Sequence, residues 1–82
     1  GTQWQHAARL VDAVEGGRQA CTLRVDDGRW FNEGTTVRVS DGRTTEYGFV
    51  LAAGRGTILL RDPLVNDYAA YAGEVAPLAR GE

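Results

Sequence analysis

The side chains that could do chemistry are few and scattered. His6 is the only histidine, and no Cys, Asp or Glu stands at ligand spacing from it, so a zinc site would have to be assembled across the fold. Cys21 is the only cysteine, which excludes an internal disulfide. As a nucleophile it would need a base that only the distant His6 could supply. It sits in an alternating apolar run and reads as a small buried residue. Asp26-Asp27-Gly28 and Asp41-Gly42 resemble fragments of calcium loops. Such a loop needs oxygen ligands at alternate positions and a closing Glu, and neither segment continues that way. Turn chemistry accounts for both, because Asp and Gly suit turn conformations. Gly54-Arg55-Gly56 is too short for a phosphate loop and no helix start follows it. The expectation is a chain that is not an enzyme, with no catalytic residue, no cofactor and no metal.

Bulk composition narrows the remaining classes. The chain has 82 residues, enough for one domain and too few for two. A domain of this size buries only about 60–65% of the surface its unfolded chain exposes, so its core is thin and association with neighbours would help it. The formal charge is −2. No basic surplus exists to hold a phosphate backbone, so no nucleic-acid partner is expected. All nine basic residues are Arg, a side chain suited to fixed, bidentate contacts with carboxylates at interfaces. No apolar stretch approaches the roughly 20 residues of a membrane-spanning helix. No membrane partner is therefore expected, and folding in the cytoplasm is the default.

The elements that must present these residues read mostly as short strands. Glycines from Gly16 onward fall between short apolar runs, the pattern of strands joined by tight turns. Cys21, Leu23 and Val25 share one face of a strand; Val37 and Val39 share one face of another. Asp41-Gly42 marks a tight turn. The run from Thr45 to Ala52 carries Tyr47, Phe49 and Leu51 on one face, with Gly48 opposite, where a bulge or close packing fits. Gly54-Arg55-Gly56 turns the chain into Thr57–Arg61, which places Ile58 and Leu60 inward. These successive strands predict a meander, ended by Asp62-Pro63 because Pro lacks the ladder donor. Residues 66–72 read as a loop or one helical turn, and Glu74-Val75-Ala76 as a short closing strand. Alternate apolar side chains between Cys21 and Leu60 are expected to turn inward as one filling.

The first sixteen residues carry two patterns. Trp4, Ala7, Ala8, Val11 and Val14 recur at helical spacing, with Gly16 as a C-cap. Arg9 to Val14 also alternates loosely, so that Glu15–Arg18 could turn into the strand that follows. The domain layout is thus an arm, first strand or helix over 1–16, an antiparallel β-barrel over 17–76, and a tail over 77–82. The fold class is mainly β, a small antiparallel barrel or sandwich of about 5–7 short strands with an N-terminal arm or short helix.

From Gly17 to Val75 the order of features resembles a small β module of tailed-bacteriophage and prophage virion structural proteins. The residues that carry it are Thr22-Leu23-Arg24-Val25, the Trp30-Phe31 plug, Gly34-Thr35-Thr36-Val37-Arg38-Val39, Asp41-Gly42 and Glu46. They continue with Ile58-Leu59-Leu60, Pro63-Leu64 and Tyr68-Ala69-Ala70-Tyr71-Ala72. The pair Trp30-Phe31 is bulkier than the module's usual single hydrophobic residue, and Trp4 to Leu10 has no counterpart in it. The resemblance implies an antiparallel barrel or sandwich, a location in the virion, and a role in head decoration, neck or tail.

Partners would then be protein subunits of a capsid or tail, with a homo-oligomer expected. Trp4, Trp30, Phe31, Tyr68 and Tyr71 are the expected anchors, and Arg9, Arg38 and Arg43 their polar partners, since aromatics beside Arg dominate interfaces. Docking is expected through an apolar patch, exposed strand edges and a terminal arm. A second reading is an SH3-like adaptor barrel binding a peptide or regulatory partner, which clustered aromatics in one groove would favour. A third is an accessory domain of a larger enzyme.

Overall fold

The computed structural model describes residues 7–17 and 20–78. It is all β. Six strands, β1 (Ala8–Arg9), β2 (Thr22–Arg24), β3 (Thr36–Ser40), β4 (Thr45–Ala53), β5 (Thr57–Leu60) and β6 (Glu74–Pro77), form one antiparallel sheet in the order β1-β6-β3-β4-β5-β2. The predicted meander is β3-β4-β5. Of the stretch with two readings, the described part from Ala7 is not helical: β1 pairs with β6, and no helix occurs among the described residues.

The sheet curls until its outermost strands meet. Leu10 bridges Val25, the Val11 N–H donates to the Arg24 carbonyl at 2.9 Å, and the Asp26 N–H donates to the Arg9 carbonyl at 3.0 Å. The two outer strands of the curled sheet thus meet at this bridge and its two hydrogen bonds. The expected arm residue Trp4 lies outside the described residues.

Alternation fills the interior. Leu23, Val25, Val37, Val39, Val50, Ile58, Leu60 and Val75 point inward from the strands and are buried. Loops plug the ends with Val14, Ala20, Phe31, Leu64 and Tyr68. Burying these side chains supplies the main favourable term for so small a domain, at about 25 cal/mol per Å² of apolar area. Cys21 is only half-buried.

One strand faces the opposite way from expectation. On β4 the inward positions are Gly48 and Val50, and Tyr47 and Leu51 are exposed. Pairing decides this. β3 must bury Val37 and Val39, and their β4 partners are Gly48 and Glu46, so the same phase sends Tyr47 and Phe49 outward. The register then slips between Val50 and Ala52, leaving Leu51 as the extra residue of a β-bulge. Gly48 makes the close packing. The bulge lies farther along the strand.

Candidate protein-docking face

The outward positions of the sheet form ordered rows. One row runs Arg9, Glu74, Ser40, Thr45; the next runs Ala76, Arg38, Tyr47; a third pairs Thr36 with Phe49. Side chains in a row are cross-strand neighbours, about 5 Å apart at Cβ. Basic residues therefore gather toward β1 and β3, and aromatic ones along β4.

On the β4 side, Tyr47 is 61% exposed and Leu51 46%, and Leu59 of β5 is 39% exposed. The Arg61 guanidinium lies over the Phe49 ring, 4.6 Å from its centroid, a cation–π contact, while its Nε donates to Asp62 at 3.0 Å. Tyr47, Phe49, Arg61, Asp62 and Thr36 line a groove of about 200 Å³.

On the β1 side, Arg9, Arg38, Ser40, Asp41, Glu74 and Ala76 line a second groove of about 280 Å³. It exists because Ala76 is short where its neighbours are long. The Arg9 Nη1 donates to the Tyr71 carbonyl at 2.9 Å, and its Nη2 lies 3.6 Å from Glu74. Asp41 closes one end and serves its own turn. Its Oδ1 accepts from the Arg43 N–H at 2.9 Å and the Thr44 N–H at 2.8 Å. These bonds, Arg43's foremost, hold its carboxyl below the ordinary value. Gly42 follows at φ +91°, a left-handed conformation that Gly adopts without penalty.

Below this face, Glu46 fixes the chain that leaves β5. Its carboxylate accepts from the Val65 N–H (2.9 Å), the Asn66 N–H (3.0 Å), the Asn66 side-chain amide (2.9 Å) and the Tyr68 hydroxyl (2.8 Å). Burial pushes this carboxyl up, but the donors together outweigh it and hold the pKa below its ordinary value. Burial, with Glu46 next, pushes the Tyr68 phenol up.

The acidic turn at Asp26-Asp27 spends its oxygens internally. Asp26 Oδ1 accepts from the N–H groups of Arg9 and Asp27. Asp27 takes both prongs of Arg29 at 3.0 and 2.8 Å, and this side-chain fork is the main cause that holds its pKa at about 2. Among the described residues no three His, Cys, Asp or Glu side chains are placed to hold one metal ion.

The expected interface residues divide. Arg9 and Arg38 line one groove, Arg43 lies in the turn beside it, and Tyr71 reaches Arg9 through its carbonyl. Trp30 is 56% exposed, on a turn where Gly28 packs against Gly54 and Thr57, and it lines neither groove. Phe31 and Tyr68 are corrections: at 6% and 2% exposure they belong to the core, because each plugs an end of a barrel too small to close with backbone alone. Tyr47, Phe49 and Leu51 were missed as surface, whereas exposed Leu59 and Arg61 follow from Ile58 and Leu60 facing inward. The alternation of Tyr47 and Phe49 was visible, but the phase that turns them outward is set by pairing with Val37 and Val39. No family model, curated protein or solved structure matches the chain.

Proposed function

We propose that this chain is a non-enzymatic assembly protein of a phage-like particle, a capsid-decorating, neck or tail subunit that docks on neighbouring subunits through the outer face of its barrel. The observation that carries the reading is the set of aromatic and Arg side chains on that face. Exposed Tyr47 stands beside Arg38 across the ladder, half-exposed Phe49 lies under Arg61, and Leu51 and Leu59 add exposed apolar surface on β4 and β5. Aromatic and Arg side chains are the residues enriched at interface centres. The order of motifs from Gly17 to Val75 supplies the particle class. Because β1 and β2 meet at the Leu10–Val25 bridge, side chains of the outer face are the main docking surface in this reading. Repetition of one modest contact around a symmetric particle sums to firm attachment. The exposed aromatics Trp30, Tyr47 and Tyr71 stand on three separate elements, which supports assembly over a peptide-binding adaptor with one aromatic groove.

The test is the oligomeric state of the purified chain by size exclusion with light scattering, together with sedimentation on capsids and tails. Self-association or particle binding that Tyr47→Ser with Leu51→Ser abolishes is the expected result. A chain that stays monomeric and binds neither particle overturns the reading.

A further inference from the structure

The groove between β1 and β3 has a chemistry of its own. Its floor is Ala76, with Ser40 beside it, and its walls are Arg9 and Arg38. Strands one removed lie about 10 Å apart, so two long Arg side chains can close on a single small group between them.

The two arginines are not in the same state. Arg9 is held in place by the Tyr71 carbonyl at 2.9 Å and by Glu74 at 3.6 Å. The Arg38 side chain makes no hydrogen bond or ion pair with any described residue. Its five N–H donors stand on the outer surface, flanked by Tyr47 on one strand and Ala76 on the other. The two acids of the groove are already engaged, Glu74 with Arg9 and Asp41 with two backbone N–H groups.

We propose that this groove receives the carboxylate of an acidic protein segment, gripped in a fork by Arg38 with Arg9 behind it. The proposal rests on the docking-face reading and names the partner's chemistry at one part of that face. A planar guanidinium matches a carboxylate with two parallel N–H···O bonds. Glu74 and Asp41 at the flanks repel any incoming anion, and the repulsion grows with the charge brought in, so a single carboxylate is disfavoured less than a chain of phosphates. Tyr47 adjoins Arg38 across the ladder and offers apolar contact to the residue beside that carboxylate.

The test is a titration of the ¹⁵N-labelled full chain, following the Arg38 Nε–H and the amides of Ser40 and Ala76. The probes are a blocked Ala-Glu-Ala-Glu-Ala peptide, the same peptide with Gln for Glu, and inorganic phosphate. Saturable shifts with the Glu peptide are expected, weaker by about tenfold or more with the Gln peptide and with phosphate. Arg38→Gln should abolish them and Arg38→Lys should weaken them, because Lys lacks the fork. No response at Arg38, an equal response to the Gln peptide or to phosphate, or an unchanged response in Arg38→Gln overturns the proposal. Assembly that depends on Tyr47 and Leu51 but leaves Arg38 silent sinks this inference alone. A Glu-peptide response in a chain that never assembles sinks the assembly reading alone.

Discussion

The Tyr68 hydroxyl donates to Glu46 Oε2 at 2.8 Å, across twenty-two positions of sequence, and ties the loop before β6 to the first half of β4. Glu46 takes three further donors from Val65 and Asn66. Replacing it with Gln keeps one acceptor oxygen and sets an NH2 donor against the remaining donors. Glu46→Gln should therefore destabilise the fold by about 1–3 kcal/mol, toward the low end because the carboxylate is only half-buried. Tyr68→Phe removes one bond and should cost about 1 kcal/mol. Urea unfolding measures both. A Glu46→Gln variant as stable as the parent would show that the clamp contributes nothing.

The same pair sets the shape of the pH profile. The pKa of Glu46 is lowered on folding from an ordinary 4.5, so its contribution is fully present above about pH 4.5 and is lost as pH falls through the folded value. The pKa of Tyr68 is raised from 10.0, so its contribution is present below pH 10 and is lost as pH rises beyond it. Stability should be flat between those limits and fall on both sides. Glu46→Gln should shrink the acid limb without erasing it, since Asp27 and Asp41 are also lowered. Tyr68→Phe should shrink the alkaline limb. Unfolding midpoints taken across pH decide this; an acid limb unchanged by Glu46→Gln would contradict it.

How much of this was legible follows from the range of each interaction. The strands at Thr36–Ser40 and Thr57–Leu60 announce themselves because Val37, Val39, Ile58 and Leu60 alternate with polar neighbours. Period-two alternation is local. The stretch around β4 has apolar residues on both faces, Tyr47, Phe49 and Leu51 against Val50 and Ala52. Local pattern then cannot choose the inner face; only its partner β3 can. The groove proposed for docking was half legible. Arg9 and Arg38 were singled out by type, but their lining one groove depends on β6 lying between β1 and β3, a long-range placement. Glu46 carries no local sign of its role, since its partners lie nineteen to twenty-two positions away.

Two glycines that accept close approach should differ sharply when enlarged. A Cβ on Gly28 would meet the Gly54 carbonyl oxygen at 2.6 Å and that of Thr57 at 3.0 Å, both part of the hairpin backbone. A Cβ on Gly48 would meet the methyl groups of Leu60 at 2.9 and 3.1 Å, the far end of a core side chain rather than backbone. Overpacking costs about 1–3 kcal/mol. Gly28→Ala should fall at the upper end or beyond, and Gly48→Ala at the lower end. Equal losses in the two variants, read from urea midpoints, would contradict the distinction between backbone and side-chain neighbours.

Tyr71 is the residue where stability and docking should trade against each other. Its φ is +66°, the one positive value at a non-glycine position among the described residues, and its side chain is 65% exposed. A bulky residue in the left-handed region costs about 1–2 kcal/mol, and an exposed ring recovers little of that by burial. Its backbone is fully used: the N–H donates to the Leu10 carbonyl at 2.7 Å, and the carbonyl accepts from Arg9. Asn tolerates this conformation better than an aromatic residue and keeps both backbone bonds. Tyr71→Asn should raise stability by about 0.5–1 kcal/mol with an unchanged urea m-value and, on the proposed assembly reading, should weaken assembly, because it removes an exposed aromatic side chain. Strain kept at a surface aromatic is expected where the ring serves a contact. A Tyr71→Asn variant that is less stable than the parent and assembles as well would mean that the ring supports the fold and not the interface.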